Sequence, residues 1–125
     1  MPHILAKPEA YANHAYKNTK GHTECVEFIR QTLHAPVTTQ WTEGIKVIKG
    51  NVAIARGTAI ATFVDKKYPQ SGRRHAAIYL GQTSIGIQVL DQWDGQGEVR
   101  QRTIPFIPRS PGLSNDGNAF STIEW

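Results

Sequence analysis

The sequence holds a single cysteine, Cys25, at a position where its thiol can become a nucleophile. Apolar residues recur at three- and four-residue spacing through residues 21–33, which predicts an amphipathic helix. Thr23 is the expected N-cap, so Cys25 is expected at about the second helical position. A helix dipole and unpaired amides stabilise a thiolate there and lower the thiol pKa. The competing interpretation is that Cys25 is a small apolar core residue.

Two further residues lie on a predicted hairpin formed by residues 75–80 and 86–93. If Leu80 pairs with Gly86, His75 lies opposite Asp91 on the same face of the sheet. Asp91 then accepts the proton of one ring nitrogen and orients the imidazole, and the other nitrogen can exchange a proton with a thiol. The predicted chemistry is thiolate attack on a carbonyl carbon, after which His75 returns the proton to a leaving amine.

The elements that must position these residues follow from the same patterns. A short helix over residues 9–16 precedes the cysteine helix, residues 41–44 form a turn, and residues 65–72 form an exposed loop. Alternation and β-branched residues predict strands over residues 45–50, 57–64, 75–80, 86–93, 99–104 and 119–125. The length of the chain predicts one domain over residues 1–125.

Composition excludes several other classes of function. The chain has 125 residues and a formal net charge of +4 that is spread along the sequence, which argues against a nucleic-acid partner. One cysteine excludes an internal disulfide and a thiolate-rich zinc site, and we expect neither a metal nor a cofactor. No apolar run approaches the roughly 20 residues of a membrane span, so we expect no membrane insertion. Residues 1–8 lack the apolar segment of a general secretory signal.

Three segments together resemble the signature of the NlpC and CHAP amidases, a papain-like superfamily. The segments are Gly21-His22-Thr23-Glu24-Cys25-Val26-Glu27-Phe28-Ile29, Arg56-Gly57-Thr58-Ala59-Ile60-Ala61-Thr62-Phe63 and His75-Ala76-Ala77-Ile78-Tyr79-Leu80-Gly81. The small size and Val89-Leu90-Asp91-Gln92-Trp93 are similar to the amidase effectors of bacterial type VI secretion.

The resemblance implies a papain-like α+β fold, with N-terminal helices packed on an antiparallel sheet. It also implies hydrolysis of amide bonds in peptidoglycan stem or cross-link peptides. Carried over by position, Cys25 is the nucleophile, His75 the base and Asp91 the residue that orients the base. The resemblance also implies synthesis in the cytoplasm, export by a contact-dependent secretion system to the periplasm of a target cell, and a cognate immunity protein that inhibits the enzyme.

The oxyanion hole departs from the patterns of the superfamily. Papain has a glutamine where this chain has Thr19, and many CHAP enzymes have a glutamine where it has Glu24. The backbone amide of Cys25 remains as one expected donor, and Gln92 is our candidate for the second. An ionised Glu24 cannot donate a hydrogen bond.

Residues outside the predicted triad are candidates for binding the substrate. They are Tyr16, Gln92, Trp93 and Arg74. His22 is an alternative base three residues before Cys25, although the sequence provides it with no evident orienting partner. Two other functions remain open: an acyltransferase or deamidase acting on a protein or lipid with the same residues, and a non-catalytic binding module with an inert cysteine.

Overall fold

A computed structural model describes residues 2–125, so Met1 of the predicted domain lies outside the described residues. The chain forms one helix, α1 (Cys25–Leu33), and the strands β1 (Thr42–Lys46), β2 (Ala59–Thr62), β3 (Ala76–Gln82), β4 (Gly86–Asp91), β5 (Arg100–Pro105) and β6 (Phe120–Glu124) in the described part. Short 3-10 helices lie at Pro8–Tyr11, Thr38–Gln40 and Leu113–Asn115. None of the helices described is long and apolar enough to cross a membrane.

The six strands form one antiparallel sheet in the order β1-β6-β2-β3-β4-β5. The predicted arrangement of an α-helix packed on an antiparallel sheet is therefore confirmed. The last strand, β6, lies between β1 and β2 and pairs with both. One sheet with an apolar cluster on each face supports our proposal that the chain is one domain.

Helix α1 packs on one face of the sheet because that face carries small side chains. Ala59, Ala61 and Ala76 are fully buried there and leave room for Phe28 and Ile29 of the helix, which are also fully buried. Burying an isoleucine or phenylalanine side chain contributes about 1.5–3 kcal/mol each. The packing fixes α1 against β2 and β3, with the first residue of the helix near the start of β3.

The predicted register of the β3–β4 hairpin is wrong by two residues. Tyr79 pairs with Val89, and the ladder continues so that Asp91 falls opposite Ala77. The ladder also shifts between Tyr79 and Gly81, an irregularity that the sequence pattern did not reveal. A two-residue error preserves the face of every side chain, because side chains alternate with period two. His75 therefore still shares a face with Asp91, on a diagonal.

Two local predictions near the N-terminal half are also wrong. The predicted turn at residues 41–44 is the start of β1, because Thr42 and Glu43 pair with β6 at the far end of the sequence. The predicted helix over residues 9–16 is only a four-residue 3-10 helix. Asn13 leaves the helical conformation with φ +70° and its amide donates to Val99. Both errors come from long-range pairing that outweighs local propensity.

Candidate active site

Cys25 is the first residue of α1, one position earlier than predicted. Thr23 is not the cap: its hydroxyl donates to the carbonyl of Trp93 at 3.2 Å, and Glu24 occupies the cap position without a side-chain hydrogen bond. No side-chain acceptor therefore caps the first turn of the helix. Cys25 as a residue is half-buried, and its thiol lies at the positive end of the helix, where an anion is favoured.

His75 and Asp91 are in contact at the end of the β3–β4 hairpin that lies opposite its turn. His75 lies immediately before β3, and Asp91 is the last residue of β4. The imidazole Nε2 and the Asp91 Oδ2 are 2.6 Å apart, and the two residues are 5% and 0% exposed. The carboxylate thus holds one ring nitrogen, so Nδ1 is the nitrogen left for another partner.

The structure brings Cys25 to that imidazole, which completes the cluster expected from the sequence. Burial alone raises the pKa of Cys25, but the hydrogen bond and charge of His75 and the amide of Ala76 lower it below its usual value. Burial lowers the pKa of His75, but hydrogen bonds to Asp91 and Cys25 raise it to about 9. The pair therefore favours a thiolate and an imidazolium at neutral pH.

Arg102 joins the cluster, and our sequence analysis missed it. Its Nε donates to Asp91 Oδ2 at 2.8 Å, and its Nη2 lies 3.4 Å from His75 Nε2. The guanidinium also lies 4.8 Å from the centre of the Trp93 ring. Its position follows from the register of β5, in which Arg102 pairs with Val89, two residues from Asp91 on the same face. Arg102 therefore binds the carboxylate that contacts His75.

Gln92 is not a donor to the oxyanion, contrary to our prediction. It is fully buried, and both hydrogens of its Nε2 are used, by the carbonyls of Tyr16 at 2.7 Å and Glu24 at 2.9 Å. Its Oε1 accepts from the amide of Tyr16 at 3.0 Å. Gln92 instead ties the N-terminal segment and the residue before Cys25 to the end of β4.

Gln92→Leu is expected to lower the free energy of unfolding by about 2–4 kcal/mol, because three hydrogen bonds are lost at about 0.5–1.5 kcal/mol each. Urea denaturation measures the change. Gln31→Leu is the matched control, since its amide also bonds to backbone and side chain but lies exposed on α1. Equal stability of the two variants would show that the buried hydrogen bonds of Gln92 contribute no more than those of an exposed glutamine.

Two of the predicted substrate-binding residues, Arg74 and Trp93, line a cavity beside His75, and Tyr16 does not. A cavity of about 350 Å³ is lined by Arg74, His75, Trp93, Arg102, Ser114 and Asn115. Trp93 is 39% exposed, and its ring meets His75 edge-on with centroids 6.3 Å apart. Tyr16 instead stacks on Phe28 of α1 with centroids 5.4 Å apart and does not line this cavity. Arg74 and Trp93 are therefore placed to contact a ligand beside His75.

Two other predictions about nearby residues are wrong, the second only in part. His22 does have an orienting partner, because its Nδ1 lies 2.9 Å from Asp94 Oδ2, and this hydrogen bond lowers the pKa of Asp94. Both side chains are more than half exposed. The loop over residues 65–72 is mostly exposed as predicted, but Tyr68 within it is only 4% exposed, and its hydroxyl lies 3.8 Å from the Cys25 sulfur. No group of metal-ligating side chains is found among residues 2–125.

Comparisons of sequence and of structure relate this chain to the same group of proteins. The family described as domesticated amidase effector 2 matches residues 3–123. The chain is 38% identical to the type VI secretion amidase effector 2 protein of Salmonella typhi, across 99% of this chain and 100% of that protein. It is 35% identical to domesticated amidase effector 2 of Ixodes scapularis, across 81% of this chain and 70% of that protein.

The fold matches a solved structure of a type 6 secretion amidase effector 2 with a TM-score of 0.84. That match has 32% sequence identity and covers 97% of this chain and 93% of the other. The predicted papain-like α+β fold and the resemblance to type VI secretion amidase effectors are therefore confirmed. The chain belongs to the domesticated amidase effector 2 family.

Proposed function

We propose that this protein is an amidase effector that hydrolyses amide bonds in peptidoglycan peptides, with Cys25 as its nucleophile. The observation that carries the proposal is the contact of Cys25, at the start of α1, with an imidazole that Asp91 holds at 2.6 Å. The names of the related proteins support an amidase activity. Cysteine chemistry and the roles of individual residues are our additions.

In the proposed reaction the Cys25 thiolate attacks the carbonyl carbon of a peptide bond and forms a tetrahedral oxyanion. The His75 imidazolium gives its Nδ1 proton to the leaving nitrogen, the carbon–nitrogen bond breaks, and a thioester remains. His75 then takes a proton from water, which attacks the thioester carbonyl. The carbon–sulfur bond breaks, the product is a carboxylic acid, and the thiolate and imidazolium are restored.

The cavity beside His75 is the proposed site for the peptide around the cut bond. Arg74 and Arg102 line it and can attract substrate carboxylates, and Trp93 offers an apolar wall. A larger cavity of about 500 Å³ shares Arg102 and Asn115 with the first and extends to the β3–β4 turn. We assign that second cavity to parts of the peptidoglycan peptide farther from the reaction.

Family membership also supports proposals about how the protein is used. We propose contact-dependent export, as in a type VI secretion effector, and a cognate immunity protein that blocks the cavity beside His75. The similarity to type VI secretion amidase effectors supports the proposal of contact-dependent export.

Digestion of purified peptidoglycan of several chemotypes in heavy-oxygen water tests the proposed function. Mass spectrometry should find new free amines on the stem peptides and one heavy oxygen in each new carboxyl group. Transfer to an added amine without heavy oxygen would indicate an acyltransferase instead. Peptidoglycan that stays intact in every chemotype under reducing conditions would refute the proposal.

A further inference from the structure

The oxyanion formed in the proposed reaction needs hydrogen-bond donors besides the amide of Cys25. Two side chains suggested by position cannot supply one: an ionised Glu24 only accepts, and both Nε2 hydrogens of Gln92 are used elsewhere. The loss of one oxyanion donor typically costs about 10²–10³ in rate. The oxyanion therefore needs a further donor close to the Cys25 sulfur.

Tyr68 has the position that this role demands. Its hydroxyl lies 3.8 Å from Cys25 Sγ, in a hydrogen bond in which either atom can donate. The oxyanion forms on an atom two bonds from that sulfur, so a group beside the sulfur is also beside the new charge. Because the phenolic proton rotates about the C–O bond, it can follow the charge from sulfur to oxygen as the bond forms. The backbone amide of Ala76 also contacts the sulfur, but it is fixed in β3.

The surroundings of Tyr68 hold it in place. The preceding turn is closed by two hydrogen bonds between Val64 and Lys67, of 2.9 and 3.0 Å. The Tyr68 ring meets the buried Trp41 ring edge-on, with centroids 5.2 Å apart. A donor that is held before the substrate arrives needs little reorganisation in the transition state.

The surroundings of Tyr68 also keep its hydroxyl protonated, as a hydrogen-bond donor must be. Burial, followed by the charge of Cys25, raises the pKa of Tyr68 well above its usual value, while Arg74 lowers it in part. The phenol therefore keeps its proton across the neutral range. The neighbouring Arg74 can donate to the hydroxyl oxygen and leave the phenolic proton for another acceptor.

We propose that Tyr68 is a catalytic residue whose hydroxyl donates a hydrogen bond to the oxyanion of the tetrahedral intermediate. This inference rests on the proposed function and adds a donor to it. In the resting enzyme the same hydroxyl contacts the thiolate, and during attack its proton turns from the sulfur toward the new oxyanion.

Tyr68→Phe tests the inference, with Tyr79→Phe as the matched control. Tyr79 is also a buried tyrosine, but its hydroxyl accepts a hydrogen bond from Gln82 at 3.2 Å and lies on the other face of the sheet. Tyr68→Phe should lower kcat/KM for a peptidoglycan peptide by about 10²–10³, and Tyr79→Phe should change it little. Circular dichroism of both variants checks that they are folded.

Two measurements separate a donor to the oxyanion from a donor to the thiolate. Alkylation of Cys25 by iodoacetamide forms no oxyanion, so Tyr68→Phe should slow alkylation much less than cleavage. A peptide aldehyde forms a tetrahedral adduct, so its affinity should fall by a factor similar to that for kcat/KM.

Equal cleavage by the two phenylalanine variants, or an equal loss of alkylation and cleavage in Tyr68→Phe, would overturn the inference while the amidase function stands. A wild-type protein that cleaves no peptidoglycan would refute the proposed function and the inference together.

Discussion

Cys25→Ala is expected to lower the rate of peptidoglycan cleavage by about four to six orders of magnitude, because loss of the nucleophile of a triad costs that much. Alanine has the best helix propensity, and Cys25 as a whole residue is only half-buried, so the variant should remain folded. The measurement is the rate of release of new amino groups from purified peptidoglycan. A variant that keeps about a tenth of the wild-type rate would show that cleavage does not use the thiol.

His22→Ala is the control that belongs with this experiment. His22 is three residues from Cys25 but pairs with Asp94 on the surface, and it is not among the groups that perturb the thiol pKa. Its removal should leave cleavage within a few-fold of wild type. A loss as large as that of Cys25→Ala would indicate that His22, rather than His75, is the base.

Asp91→Ala is expected to produce the largest combined loss of activity and stability. The carboxylate is fully buried and accepts from both His75 at 2.6 Å and Arg102 at 2.8 Å. Breaking a buried ion pair by removing one partner costs about 3–5 kcal/mol. The imidazole also loses the group that orients it, and loss of a triad carboxylate lowers the rate by about 10⁴.

Denaturation in urea and the kcat/KM of folded protein measure these two losses separately. Asp94→Ala provides the comparison, because that carboxylate lies only three residues away but is exposed and pairs with the exposed His22. It should change both quantities only slightly. Similar values for the two variants would contradict the positioning role of Asp91.

The positions of Cys25, His75 and Asp91 in the fold could be predicted from the sequence, because local patterns determine which face of a helix or strand a side chain lies on. The three- and four-residue spacing put Cys25 at the start of a helix, and strand alternation put His75 and Asp91 on one face. Even a register error of two residues left that face unchanged. The predicted face of a side chain depends only on periodicity. It was therefore correct even where the length or pairing of an element was wrong.

The surroundings of the triad could not be predicted, because contacts between distant segments decide them. Tyr68 follows three charged or polar residues, which indicates a surface loop, yet the turn folds its ring onto Trp41. Gln92 is a polar residue next to Asp91 and so resembles a site residue, but the backbone of Tyr16 and Glu24 uses its hydrogen-bonding groups. Arg102 required the register of β5, which the sequence does not specify.

The pH dependence of Cys25 alkylation tests most directly whether His75 holds the thiol as an ion pair. Because the pKa of Cys25 is lowered and that of His75 is raised to about 9, wild-type protein should react rapidly with iodoacetamide well below the usual thiol pKa of about 8.5. In His75→Ala, the rate at neutral pH should fall and the transition should move to about 8.5 or higher. A wild-type transition near 8.5 that His75→Ala leaves unchanged would contradict the account.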